Sequence, residues 1–204
     1  MAVQIGAKPD SGFDDPIGML KDCHRRIERF LNVLCRVAER AQGRSLTEEE
    51  RAATEAALFY FQHAGRRHTA DEEESLFPRL HAALPAENAA GTDIRTNMDI
   101  GADIDTGAGM DMDLERLQSD HGRANQLHAS IDGLYMAWIS TGPLPMDQEQ
   151  ILLSSTRALQ QLYAEHLIVE EQFVFPRAAA SLDQKTLAAI GLEFKARRND
   201  LARR

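Results

Sequence analysis

Two twelve-residue segments of this 204-residue chain repeat one pattern of ionisable and apolar residues. HTADEEESLFPR occupies residues 68–79 and HLIVEEQFVFPR occupies residues 166–177. Each reads His, three residues, Glu-Glu, two residues, an apolar residue, then Phe-Pro-Arg. Upstream of each lies a further histidine: His24 precedes His68 by 44 residues, and His121 precedes His166 by 45. The chain is therefore one unit written twice, and an approximate two-fold axis should relate the copies.

On a helix, residues four apart differ by about 40° of rotation and one turn, so His68 with Glu72, and His166 with Glu170, can aim at one point. Phe61 falls near the direction of His68. Leu159, Leu162 and Phe173 fall near that of His166, which places both His/Glu pairs on apolar, core-facing stripes. Glu73 and Glu171 are turned away from those stripes by about 140°. Buried carboxylates and imidazoles need partners. Four histidines and two glutamates at one level of a helical protein are satisfied together by a pair of divalent metal ions. Imidazole with carboxylate suits iron, manganese or zinc. The competing reading is a set of buried His–Glu ion pairs. The doubling of the whole arrangement argues against it.

The elements that must hold these residues are helices. Asp14-Asp15-Pro16 has the acidic cap and first-turn proline of a helix start. From there Leu20, His24, Ile27, Leu31, Leu34 and Ala38 form one inward stripe, and Gly43 ends the helix. Thr47 to Glu50 is a capping box opening a second helix that runs to about residue 82. Residues 85–112, rich in Gly and Asp, read as a mobile acidic loop. A third helix comes next over about 113–140, with Leu114, Leu117, His121, Ala124, His128, Ile131, Tyr135 and Trp138 on its stripe. Thr141-Gly142-Pro143 breaks it. A fourth helix, capped by Asp147, runs to about 180. A shorter helix from about 183 carries Leu187, Ile190 and Phe194 on one side and should pack outside the others. The domain plan is a flexible N-terminus over 1–12, one domain over 13–180 and a C-terminal helix within 181–204.

The bulk properties exclude other classes. A formal charge of -9 repels phosphate backbones, so nucleic-acid binding is not expected. No run approaches the ~20 apolar residues of a membrane helix, and the N-terminus has no signal-peptide core. These point to a cytoplasmic protein. Cys23 and Cys35, twelve residues apart on one helix, stand about 18 Å apart along its axis and cannot bridge. Unpaired thiols suit a reducing compartment. Cys23, beside His24, reads as a small semi-buried thiol, with a redox or ligand role the sharper alternative.

With those residues in place the chain resembles the hemerythrin-like HHE family of cation-binding domains. The likeness rests on His24, His68 with Glu72, His121, His166 with Glu170, and the Phe-Pro after each H-x-x-x-E-E, and it spans about residues 14–180. The resemblance implies an all-α, antiparallel up-down four-helix bundle with a two-iron centre. Glu72 and Glu170 would bridge the irons, His24, His68, His121 and His166 would be terminal ligands, and an oxo or hydroxo bridge would complete the set. Many members add a fifth histidine. Here Asn125 stands where such a partner of His121 would sit, His63 and His81 face outward on regular helix geometry, and His128 is two turns from His121, a core or supporting residue. Glu28, four residues after His24, is a further candidate ligand.

A ligand set dominated by neutral imidazole stabilises ferrous over high-valent iron, in contrast to carboxylate-rich ferritin-like sites. That favours binding or sensing of oxygen or nitric oxide, or of iron and oxygen status. The enzymatic alternative is consumption of peroxide or nitric oxide, or repair of iron centres. A metal-free interaction bundle is the third reading. Tyr163, about 60° from His166, either borders an open coordination position or is a core aromatic.

Overall fold

A computed structural model describes residues 10–84 and 107–199. The expectations for residues 1–9, 85–106 and 200–204, most of the acidic loop among them, lie outside the described residues. All regular elements among the described residues are helical. We number them α1 (Pro16–Arg40), α2 (48–83), α3 (Gly107–Thr141), α4 (146–181) and α5 (Gln184–Asn199). None is long and apolar enough to cross a membrane.

The helix starts arise from local chemistry. Asp15 Oδ1 accepts the Gly18 N–H at 2.9 Å, satisfying one of the first-turn donors that have no partner within the helix, and Pro16 has no N–H to satisfy. Thr47 and Glu50 form the expected reciprocal box, Glu50 N–H donating to Thr47 Oγ1 and Thr47 N–H to Glu50 Oε2. The Arg44 guanidinium, also bound to Glu50, together with the Thr47 N–H holds that carboxyl down to about 2. Between α1 and α2, Gly43 takes a φ of +70°, and between α3 and α4 Gly142 takes +90°, backbone that glycine adopts without cost.

Two boundaries differ from expectation. Helix α3 begins at Gly107 rather than near 113, because Met110 is buried against Leu114 and Leu117 and extends the apolar face backwards. Residues 107–112 are thus helix, not loop. Helix α4 is entered from Pro145, whose extended backbone makes it the cap, and Asp147 lies within the first turn.

Both α2 and α4 contain a widened π turn just after the His/Glu pair, Glu72–Leu76 and Glu170–Val174. In each, the Phe of Phe-Pro donates its N–H five residues back, Phe77 to Glu72 O and Phe175 to Glu170 O. The proline is the cause: its ring crowds the carbonyl four residues earlier and it offers no N–H, and a wider turn relieves both. The inserted residue rotates the remainder of each helix about its axis. Val174 is fully buried and Phe173, expected on the core stripe, is 54% exposed. A further π turn at Phe61–Gly65 lies one turn before His68.

Helix α1 packs against α2 and α4, and α3 packs against α4 and touches α2. Helix α5 lies across α1 and α2. Its Arg197 and Arg198 bind the fully buried Asp71 at 2.8 and 2.7 Å, and Glu193 takes Ser75 and Arg79. Inside, the apolar residues divide into two cores. One contains Ile27, Leu31, Leu34, Phe61, Tyr135, Trp138 and Leu159. The other contains Leu20, Phe77, Leu80, Leu117, Val174, Phe175 and Phe194. Tyr135 donates to Leu34 O at 2.8 Å and Trp138 to Arg44 O at 2.9 Å, so the large aromatic residues of the first core have their polar atoms satisfied.

Candidate metal centre

The layer between the two cores is polar. At this level the apolar stripe of each long helix is interrupted: by His24 between Leu20 and Ile27, by His68 and Glu72 between Phe61 and Leu76, by His121 between Leu117 and Ala124, and by His166 and Glu170 between Leu162 and Val174. All six side chains are buried, Glu72 and Glu170 completely.

They form two groups that share both carboxylates. His24, His68, Glu72 and Glu170 bring one nitrogen or oxygen each within 4.8 Å of one another, and so do Glu72, His121, His166 and Glu170. The inward Nε2 atoms approach the carboxylates closely. His24 Nε2 lies 3.2 Å from Glu170 and 3.9 Å from Glu72, His68 Nε2 3.2 Å from Glu72, His121 Nε2 3.4 Å from Glu72, and His166 Nε2 3.3 Å from Glu170. Yet those four nitrogens and all four carboxylate oxygens make no hydrogen bond of acceptable geometry. Orphaned buried polar atoms cost roughly 1–3 kcal/mol each. Eight of them converging from four helices fit cations placed among them better than ion pairs.

The metal-free charge state is consistent with that. Burial disfavours a proton on His24, but Glu170, Glu171 and Glu72 outweigh it and hold its pKa well above the ordinary value. The same opposition, with Glu72 the leading partner, puts His121 at about 9. Burial drives His68 down to about 4. Glu72 and Glu170 are held below the usual carboxylate range despite burial, Glu72 chiefly by His68 and His121, Glu170 by His166 and His24.

The second glutamate of each pair has a role its helical angle did not suggest. Glu73 and Glu171 leave the core face, but each reaches the neighbouring helix. Glu171 Oε1 lies 2.8 Å from His24 Nδ1, and Glu73 Oε1 lies 2.8 Å from His121 Nδ1. A carboxylate behind Nδ1 fixes the tautomer and leaves Nε2 as the inward donor atom. The phenylalanines share the same exchange: Phe175 stacks on His24 with ring centroids 5.2 Å apart, and Phe77 on His121 at 6.3 Å. Each half of the chain supplies the acceptor and the aromatic lid for the other half's histidine. The signal available in the sequence was the second Glu, present in both copies.

The remaining candidates fall outside both groups. Glu28 is exposed. Ile27 and Leu31 continue the inward stripe, and Glu28 sits on its flank, lining a cavity of about 390 Å³ with Asn32, Gln160, Gln161 and Tyr163. His63 and His81 are exposed, His81 against Asp111, and Asn125 is exposed. His128 is half-buried, with Nε2 3.4 Å from the Tyr163 hydroxyl. The Tyr163 ring meets the His166 ring edge-on at 6.3 Å, and burial with the nearby Glu72 and Glu170 raises its hydroxyl pKa. Cys23 and Cys35 are buried free thiols outside the groups, both pushed up by burial, Cys35 to about 11. That leaves Cys23 its plain reading.

No curated protein matches the chain. Residues 15–99, which carry His24, His68 and Glu72, match the family model of the hemerythrin HHE cation binding domain, so the chain carries hemerythrin-like HHE sequence over that stretch.

Proposed function

We propose that this chain is an antiparallel four-helix bundle of hemerythrin type that holds two metal ions, iron in its working form, and binds or senses a small diatomic ligand there. The terminal ligands are His24, His68, His121 and His166, and Glu72 and Glu170 are shared between the ions. One observation carries the reading: eight buried nitrogen and oxygen atoms without hydrogen bonds, gathered into two groups with common carboxylates. Iron rather than zinc or manganese rests on the family match.

Four neutral imidazoles and two carboxylates leave the centre less anionic than a carboxylate-rich one. When bound, iron in such a set supplies a redox-active Lewis acid to which oxygen or nitric oxide can attach. The chain's own residues do the rest. Glu73 and Glu171 orient the imidazoles, the two apolar cores exclude water above and below, and Phe77 and Phe175 cover His121 and His24.

A second reading, consumption of peroxide or nitric oxide, draws on Tyr163. Its hydroxyl faces His128 Nε2, and its ring lies against His166, a placement suited to passing a proton toward the centre.

Elemental analysis after anaerobic iron loading should find about two ions per chain. Fewer than one rejects both readings. Mixing the reduced protein with oxygen separates them: a stable, reversible charge-transfer band supports binding, and steady turnover of peroxide or nitric oxide, lost in Tyr163→Phe, supports catalysis.

A further inference from the structure

The two halves of the centre match in their inward ligands and in the Glu171–His24 and Glu73–His121 pairs. They differ behind the remaining two histidines. His166 Nδ1 faces Asp120 Oδ2 at 3.8 Å. Asp120 is 5% exposed, and its flanking cations, Arg123 at 3.1 Å and Arg116 at 3.9 Å, are both largely solvated. Asp120 directly precedes His121. The residue that directly precedes His24 in the other copy is Cys23, buried, uncharged, and 4.0 Å from an Arg26 guanidinium nitrogen. Among the described residues no carboxylate approaches His68 Nδ1, and both that atom and His166 Nδ1 are buried without a hydrogen bond, so the difference between them is the Asp120 charge alone.

A carboxylate behind a ligating imidazole makes it a better donor and fixes its orientation, and losing such a partner typically weakens metal binding on the order of 10–100-fold. At 3.8 Å Asp120 makes no hydrogen bond to His166 Nδ1 but places a buried negative charge behind that ring. Nothing comparable stands behind His68 among the described residues, and the Arg26 guanidinium near Cys23 is itself paired with Asp10.

We propose that Asp120 makes the two metal positions unequal: the ion held by His121 and His166 binds first and tightly, and the ion held by His24 and His68 is the weaker, exchangeable one. The proposal rests on the metal-centre reading of the function. Asp120 is a positioning residue in it, acting through His166.

Anaerobic titration of the full-length metal-free protein with Zn(II), in competition with a chromophoric chelator, tests it. The expected isotherm has two steps whose affinities differ on the order of 10–100-fold. Asp120→Asn, which keeps the side chain's shape, should weaken the first step by a similar factor and leave the second. Cys23→Asp should tighten the second step alone. A residue that merely supported the fold would move both steps together and in one direction. His166→Ala should abolish the tight step, and His68→Ala the weak one. Two ions binding with indistinguishable affinity, or a folded Asp120→Asn protein whose first step is unmoved, would overturn the inequality and leave the metal centre standing. Uptake of less than one ion per chain would overturn both.

Discussion

Replacing Glu171 by alanine isolates the contribution of a residue that touches no ion in the proposed centre. Its carboxylate takes the His24 Nδ1–H at 2.8 Å. A hydrogen bond to a charged group contributes about 1.5–3 kcal/mol net. The Glu171 side chain is 44% exposed, so solvent screening places it at the low end, about 1.5 kcal/mol, or about tenfold in affinity. Glu171→Gln keeps an acceptor and drops the charge, so its loss should be about half as large in free energy, near threefold. The sign of the pH effect comes from the same contact. Glu171 also helps hold the proton on metal-free His24, and that proton must leave before Nε2 can bind a cation. Without Glu171 the proton leaves more easily, which partly offsets the weaker ligand near neutral pH. The deficit should therefore widen as the pH is raised toward 9. Chelator competition with Zn(II) at two pH values, with circular dichroism to verify folding, measures this. An alanine variant within twofold of the parent at both pH values would refute the idea that Glu171 tunes the ligand.

Metal uptake should release protons, because His24 and His121 are protonated in the metal-free chain and must bind as neutral imidazoles. Apparent affinity should rise with pH until His121 has titrated at about 9, and a dye in weak buffer reports the release. The stability of the metal-free protein runs the opposite way. His121 is raised on folding, so its contribution is full below the ordinary imidazole value and fades as pH climbs through about 9, which urea unfolding at pH 6 and pH 9.5 would detect. Replacing Arg197 and Arg198 together by alanine leaves Asp71 buried without either partner and should cost about 3–5 kcal/mol of stability in urea unfolding. Gly191→Ala, which in an open helix stabilises by up to about 1 kcal/mol, should instead lower Tm, since a Cβ there would meet the Phe13 carbonyl oxygen at 1.8 Å.

The helical character, the four inward stripes and the six buried His and Glu residues were legible because each depends only on spacing along one helix. Leu20 to Ala38 and Leu114 to Trp138 needed no knowledge of a neighbour. What escaped depended on a second helix or on the loss of regular pitch. Glu73 and Glu171 look misdirected on their own helix and acquire a purpose only once α3 and α1 lie beside them. Phe173 was misplaced because the angle was counted through a proline-induced π turn as if it were α-helix. Glu28 has the same spacing from His24 as Glu72 has from His68, and its place outside both groups, on the flank of α1 beside Gln160 and Gln161, shows only when the neighbouring α4 fixes where the interior begins. The early start of α3 was hidden because Met110 alone marks it, amid glycine and aspartate.

The reciprocal pairing of the two copies has a consequence for how the protein forms. His24 and Glu171 are 147 residues apart, and His121 and Glu73 are 48 apart. Neither copy can complete its own histidine, so the first to leave the ribosome waits with an imidazole and a glutamate unanswered until the second arrives. Closure of the interior is therefore a late event in synthesis, set by the arrival of α3 and α4.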